Sequence, residues 1–539
     1  MGFVTTLGMF SGDASVLTAI DQAIIAFYLV AVLVMGIFFS RYVKTSGDFF
    51  LAGKSLPFWA IGMSVVVSDI GAIDMVAGAG SAYKYGLAQA NFDWLGSVPA
   101  MIIVAFVFVP FYWRSGVCTL PEFLGRRYGP VVRTLQAVIW LGFLVSMLAV
   151  MLWSSAVFLN EILGLPTQGG IWLTVIVVGV YTVLGGLTAV VLTDVIQTVI
   201  MFVGAGALLL LSYWKIGGWN ALVTTVTERG PEFADHFRLL LPNSTSSPYP
   251  WSGILFGLGI VLSTAYFSSN QAVIQRVLGA RSEWHAKASM LFAAFLKLLV
   301  PVLVILPGLT ALALHPSLED PDRAVPRLVA DLLPPGLMGL VFAAFFAALM
   351  SSVDSYLNSS TTILISDAYR PISTWLKGAP PTDRSCLVLG RGLTVGLIVA
   401  GGLIAPAINQ FETIYSAMQT MFSLFQGPTL ALLLLGVFWK RTNSIGAIVG
   451  LTTGVGLSMC LNLVGDKLFP SEDPFLFIAF WTFVYSLVAT SLVSAVTGPP
   501  NEKYTKGLVW GSVVDDPASQ AALRARLDDG ESAPSGGEA

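Results

Sequence analysis

Charge is what this sequence has least of. Asp, Glu, Lys and Arg make up 11% of its 539 residues, while 55% are hydrophobic. Ordinary soluble domains carry roughly 25% charged residues. So few ionised side chains cannot solvate a water-facing surface of that size, which excludes a soluble globular protein. The formal net charge of −3 supplies no basic field for a phosphate backbone, so no nucleic-acid partner is expected. Cysteine and histidine are scarce as well, with 3 of each. Cys118, Cys386 and Cys460 stand at unrelated spacings in or beside apolar stretches and suggest neither disulfides nor a metal site. His236, His285 and His315 fall in loops or at the ends of apolar stretches, without an HExxH-like spacing. A membrane enzyme would need a nucleophile–base pair or a metal cluster, so enzymatic activity is not expected.

Long apolar runs, by contrast, recur from end to end. About thirteen stretches of roughly 20 residues are long enough to cross a bilayer as helices, which predicts an all-α polytopic membrane protein. The first is not a cleavable signal peptide, because Asp21 precedes a long apolar core that no small-residue cleavage site closes. Lys and Arg concentrate in the alternate loops 41–56, 114–133, 275–287, 367–391 and 439–443. That bias places those loops in the cytoplasm, the N-terminus outside and the C-terminus inside a plasma or inner membrane. The tail from Gly498 is polar, reads as disordered, and is short for an appended catalytic or signalling domain.

A few stretches are interrupted by polar residues. An ionisable group at the centre of a spanning helix costs about 2.5–3.5 kcal/mol on insertion scales, so each interruption is a functional candidate. Residues 62–83, GMSVVVSDIGAIDMVAGAGSAY, carry Asp69 and Asp74 among Gly71, Gly78 and Gly80, and predict unwinding near Ser68–Gly71. Unwound backbone exposes carbonyl oxygens that can hold a cation. The competing reading is a glycine-lined helix contact with hydrogen-bonded aspartates. Residues 348–360, ALMSSVDSYLNSS, place Ala348, Ser351, Ser352, Asp354, Ser355, Asn358 and Ser359 on one broad helix face. That face offers hydroxyl, carbonyl and carboxylate oxygens, the ligands a hard cation such as Na+ prefers. Serine bonding between helices would account for Ser351 and Ser352 but leaves Asp354 unexplained. Asp194 follows Gly185-Gly186 by about two turns in the next stretch. Lys297, in FAAFLKLLVP, is a lone cation with apolar neighbours on both sides. It must either snorkel or meet a buried partner.

Six segments resemble the motifs of the sodium–solute symporter family. They are DFFLAGKSLP (48–57), RSGVCTLPEFLGRRYG (114–129), YTVLGGLTAVVLTDVIQ (181–197), NQAVIQR (270–276), SSVDSYLNSSTTILISDAYRP (351–371) and GVFWKRTNSIGAIVG (436–450), and with them the likeness runs from about residue 20 to 497 in the family's order. The resemblance implies a LeuT-like core of two inverted five-helix repeats, residues 57–213 and 250–438. Around it come an N-terminal extra helix with a cytoplasmic loop (1–56), an extracellular loop (214–249), C-terminal extra helices (439–497) and the cytoplasmic tail (498–539). It also implies alternating access around a midplane site where the first helix of each repeat is broken. One sodium ion would be held by the carbonyls of Val67, Ile70 and Ala348 and the hydroxyls of Ser351 and Ser352. A second cation, bound by some members, would use Asp194, Asp354 and Ser355. Asp354 departs from the two-sodium members, which usually carry Ser or Thr there. A carboxylate could bind that ion more strongly or hold a proton instead.

For the solute, the resemblance is to the sugar-transporting branch. Its acidic residue before Trp corresponds to Asp93, its lysine to Lys297, its glutamine to Gln419 and its inner aromatic gate to Tyr266. A sugar-contacting Asn aligns with Ser263. Where this chain has Asp74 the branch usually has Gln or His, and where it has Asp69 often Asn. The pair Ser68-Asp69 is similar to the proline-transporting branch instead. A sugar site needs donors and acceptors converging on hydroxyls beneath an aromatic face, a set that Asp74, Asp93, Lys297, Gln419 and Tyr266 could supply. Pairing of Asp93 with Lys297 merely to hold helices together is the plainer alternative. The expectation is therefore inward symport of one or two Na+ ions with a small polar organic solute, a sugar first. An amino acid, a polyol, sialic acid, or a transporter-like solute sensor are the alternatives. The lipid bilayer and the solute are the expected partners, with no obligate protein partner.

Overall fold

The computed structural model describes residues 17–40, 50–71, 73–184, 187–411, 413–469 and 471–510. Arg41 and Lys44 of the first basic loop, the Gly185-Gly186 break and the tail beyond residue 510 lie outside the described residues. Within them the chain forms helices and no β-strand. The first half runs α1 (Ala19–Ser40), α2 (Phe58–Asp69), α3 (Asp74–Ala90), α4 (Phe92–Val107), α5 (Val109–Ser115), α6 (Leu120–Tyr128), α7 (Pro130–Leu163), α8 (Thr167–Leu184), α9 (Leu187–Ile216) and α10 (Trp219–Thr227). The second half runs α11 (Gly253–Ser269), α12 (Gln271–Leu278), α13 (Glu283–Leu314), α14 (Ala324–Leu332), α15 (Leu337–Lys377), α16 (Asp383–Gln410), α17 (Ile414–Phe438), α18 (Ser444–Leu468) and α19 (Phe475–Val496). Eight helices are long and apolar enough to cross a membrane, and three bent pairs, α2/α3 (58°), α4/α5 (44°) and α11/α12 (52°), can each make one further crossing. The shorter apolar helices Ala19–Met35 and Thr167–Val180 coincide with two further apolar runs of the sequence.

Local chemistry sets the ends and the breaks. Helix α7 starts with Pro130 at its first position and stops at Gly164, whose φ of 66° is left-handed. Its 34 residues rise about 51 Å, more than the roughly 30 Å hydrocarbon layer, so it must tilt or project beyond it. The α11/α12 break falls at Asn270, which leaves helical geometry (φ −66°, ψ 116°) and caps α12 by accepting a bond from Ala272 N at 2.9 Å.

Burial sorts the helices. In α15, 89% of the most apolar window is buried, against 28% in α18 and 33% in α19. Helix α15 is therefore the central element, packed by α9, α7, α2 and α1. Only a helix surrounded by protein can carry a run of Ser, Thr, Asn and Asp at membrane depth, because its neighbours supply the partners that lipid cannot. The N-terminal helix belongs to this packing. Asp21 of α1 is buried, and its Oδ1 accepts from Gly336 N at 2.7 Å and Gly339 N at 2.8 Å. A carboxylate from α1 thus caps the N-terminus of α15. Gly339 permits the approach, since a Cβ there would stand 2.7 Å from Asp21 Cα.

Candidate functional site

The first half of the site is where α2 ends. The break predicted near Ser68–Gly71 falls after Asp69, and Ile70 leaves the helix at φ −89°, ψ 75°. The carbonyls of a helix's last turn have no intrahelical donor, and here they meet α15. Ser352 Oγ lies 3.0 Å from Ser68 O and 3.0 Å from Ala348 O. Ser351 Oγ lies 2.8 Å from Ser68 Oγ. Gly71 is required for this contact, because a Cβ would stand 2.5 Å from Ser352 Oγ. One serine proton cannot satisfy both carbonyls, so acceptor lone pairs remain for a cation. The set is hydroxyl and carbonyl oxygen, which fits a hard monovalent ion. Val67, Ile70, Ala348, Ser351 and Ser352 are all buried together here. The carbonyl that Ser352 reaches is that of Ser68, between the two expected from the sequence.

The three residues of the expected second cation set divide between two clusters. Asp194 and Ser355 share the guanidinium of Arg276, which basic-loop reasoning assigned to the loop 275–287. Arg276 instead lies on α12 with its side chain 1% exposed. The motif break at Asn270 turns α12 inward and carries the guanidinium to the end of α2. Its Nη2 donates to Ser68 Oγ at 2.8 Å, to Asp194 Oδ2 at 3.2 Å and to Ser355 Oγ, and its Nε donates to Ser64 Oγ at 2.6 Å. Asp354 turns away from this cluster, and its Oδ1 accepts from Thr182 Oγ1 of α8. Ser68 therefore touches both the serine pair of the cation set and the Arg276 cluster.

Next to this lies a cavity whose lining includes Asp69, Asp74, Asp93, Ser263, Tyr266, Lys297 and Gln419. All seven residues expected to meet solute line one space, although they come from α2, α3, α4, α11, α13 and α17. Lys297 does not snorkel. Its side chain is 7% exposed, and its Nζ pairs with Asp69 Oδ2 and donates to Asp93 Oδ1 at 2.6 Å. Asp74 lines the cavity beyond them. Aromatic rings close both ends. At one end Phe92 packs edge-on against Tyr415 and Tyr249 at 5.2 and 5.5 Å. At the other, Tyr266 packs on Phe422 at 5.3 Å, with its hydroxyl 3.4 Å from that of Tyr356.

Sequence reasoning missed Arg276 and Thr182, and with them Gln89, Tyr356, Tyr415 and Gln426, which also line the cavity. Tyr356 is not among the polar-face residues read from 348–360, and Gln426 sits one residue past a break, at Phe425 (φ −139°), that no Gly or Pro precedes. Arg276 was the legible one, since it ends the quoted motif NQAVIQR.

Two broken helices meeting one buried helix, with a set of hydroxyl and carbonyl oxygens beside a cavity lined by charged, polar and aromatic side chains, fit a membrane transporter that handles an ion and a solute together. The family model of the sodium:solute symporter family matches residues 49–454, and the chain belongs to that family. It is a Na+-coupled solute symporter. A sodium/glucose cotransporter of Vibrio parahaemolyticus is 33% identical over 519 residues, covering 91% of this chain and 93% of that one. A human sodium/myo-inositol cotransporter 2 is 31% identical over 540 residues, covering 91% and 78%. Among solved structures, a Na+-coupled sialic acid symporter superposes with a TM-score of 0.78 at 23% identity, covering 89% of this chain and 98% of that one. The nucleobase–cation transporter Mhp1 superposes with a TM-score of 0.52 at 12% identity, covering 89% and 98%. The chain therefore has the LeuT-like fold of all-α membrane transporters.

Proposed function

We propose that this symporter moves Na+ inward with a hydroxylated neutral solute, a sugar first and a polyol second. The observation that carries the reading is Lys297, held between Asp69 and Asp93 in the wall of the cavity. Asp69 is the last residue of α2, one position from Ser68 and the cation set. An ion that draws the carbonyls of α2 against Ser351 and Ser352 therefore also orders the Asp69–Lys297–Asp93 wall that meets solute. Paired in this way, carboxylates accept from sugar hydroxyls and the ammonium donates to them. The sugar and inositol activities named for the relatives support the choice over an amino acid.

Sodium is held by Val67, Ile70, Ala348, Ser351 and Ser352, with Ser68 O as a further ligand. The core comprises the repeats 57–213 and 250–438, the protein resides in the plasma or inner membrane, and its basic loops face the cytoplasm. The chain acts as a transporter and not as an enzyme, with solute and bilayer as its partners. At −100 mV a charge gains about 2.3 kcal/mol, and a tenfold gradient adds about 1.4 kcal/mol. One ion thus supports accumulation of several hundredfold, and two about 10⁵-fold. The test is uptake into proteoliposomes of sugars, polyols, amino acids and sialic acid under Na+, Li+ or H+ gradients. Sugar uptake that requires the Na+ gradient is expected. Uptake indifferent to Na+, or an amino acid as sole substrate, defeats the reading.

A further inference from the structure

Beyond the Tyr266–Phe422 end of the cavity, buried polar atoms gather without protein partners. Gln426 of α17 is 1% exposed and lines the cavity, yet neither its Nε2 nor its Oε1 has a hydrogen-bond partner among the described residues. On α7, Gln136 and Trp140 are wholly buried and one helical turn apart, outside the cavity lining but against Thr429 and Phe425 of α17, which flank Gln426. Gln136 Nε2 donates to Thr429 Oγ1 at 3.2 Å, while its Oε1 and Trp140 Nε1 have no partner among the described residues. Buried polar groups are normally satisfied, so a cluster of such atoms beside a cavity points to a polar occupant.

The surroundings specify its chemistry. The Trp140 ring packs edge-on against Phe143 at 5.4 Å and Phe425 at 5.2 Å, and Phe143 adjoins Phe422 at 4.7 Å. Phe422 and Gln426 both line the cavity, so the aromatic group is continuous with its closed end. Amide donors and acceptors beside an indole N–H and aromatic faces suit a hydroxylated ring. They do not suit an anion or a bare cation, because no charged side chain belongs to the group. The group also straddles the break between the two halves of α17, where a change in bend would alter the space between α7 and Gln426.

We propose that Gln426, Gln136 and Trp140 form a second subsite for the hydroxylated solute. It lies on the Trp439 side of the Tyr266–Phe422 constriction and is visited as solute leaves the first site. The proposal rests on the sugar reading and deepens it. The probes are radiolabelled D-glucose and myo-inositol with purified protein, comparing Na+-dependent equilibrium binding with net uptake into proteoliposomes. For Gln136→Met, which does not touch the first site, binding affinity is expected within about twofold of wild type and net uptake reduced at least tenfold. Trp140→Phe, which keeps an aromatic ring and removes the N–H, should show the same split, while Gln426→Leu at the cavity lining should lower uptake and Gln426→Asn should recover part of it. Equal loss of binding and uptake in Gln136→Met and Trp140→Phe would assign both residues to the first site or to folding and overturn the subsite. Uptake unchanged in both would mean that the amides hold only buried water, and would overturn it too. Failure of wild-type protein to bind or move either probe defeats the sugar reading first, and the ligand class assigned here with it.

Discussion

Arg276 Nη2 stands 3.2 Å from Asp194 Oδ2, with the two side chains 1% and 0% exposed. This pair ties α12, beyond the break of the bent pair α11/α12, to α9. Through Ser68 and Ser355 it also reaches α2 and α15. Breaking a buried pair by removing one partner typically costs about 3–5 kcal/mol, because the other charge is left uncompensated. Arg276→Gln is therefore expected to lower the thermal midpoint and abolish uptake, and Arg276→Gln/Asp194→Asn to recover stability. A double variant less stable than Arg276→Gln alone would show that the pair is not the unit.

The serine pair of α15 is expected to govern sodium and not solute. Removing a hydrogen bond to a charged species costs about 1.5–3 kcal/mol, roughly ten- to a hundredfold in affinity. Ser352→Ala should raise the Na+ concentration for half-maximal uptake by that factor, measured at saturating solute. Unchanged sodium activation would remove Ser352 from the ion site.

Asp354 poses a separate test, because it bonds Thr182 while Asp194 bonds Arg276. If it serves a second ion, Asp354→Ala lowers apparent sodium affinity or the Na+:solute ratio. The measurement is paired ²²Na and solute flux. Equal ratios and equal activation in both proteins would take Asp354 out of the ion path.

Lys297 is held by carboxylates at 7% exposure. Lys297→Met leaves Asp69, Asp74 and Asp93 in one cavity without their cation, so loss of both uptake and stability is expected. Asp93→Asn keeps the donor–acceptor geometry. It should cost solute affinity on the order of tenfold with sodium affinity changed less, read from solute and Na+ titrations of uptake.

Asp322 supplies a pH dependence outside the spanning helices. It lies in the loop before α14, and its Oδ2 accepts from Ile414 N at 2.8 Å at the start of α17. Burial pushes its carboxyl up to about 7 from an ordinary 3.8, only partly offset by that bond. Between those values the native state keeps a proton that the unfolded chain has released, so stability falls as pH rises across the window. The thermal midpoint of wild type should drop from pH 4.5 to 8 more than that of Asp322→Asn. Parallel curves would show that another group sets the slope.

Composition and periodicity made much of this protein legible. Thirteen apolar runs require a membrane, because such a surface has no other solvent. Glycine beside aspartate in residues 62–83 marks a helix that cannot continue, and serines at helical spacing in residues 348–360 mark a face that lipid cannot cover. These are local signals, carried by neighbours in the chain. The pairings are not local. Lys297 meets Asp93 across 204 positions, Arg276 meets Asp194 across 82, and Asp354 meets Thr182 across 172. Which carboxylate receives which cation depends on the depth and angle at which helices pack, and a basic residue reads alike whether it ends a loop or enters the core. Sequence alone determined that oxygen and charge must be buried near α2 and α15. Only tertiary structure decided that Ser68 joins the serine pair to Arg276, and that Gln426 faces the cavity with its amide unpaired.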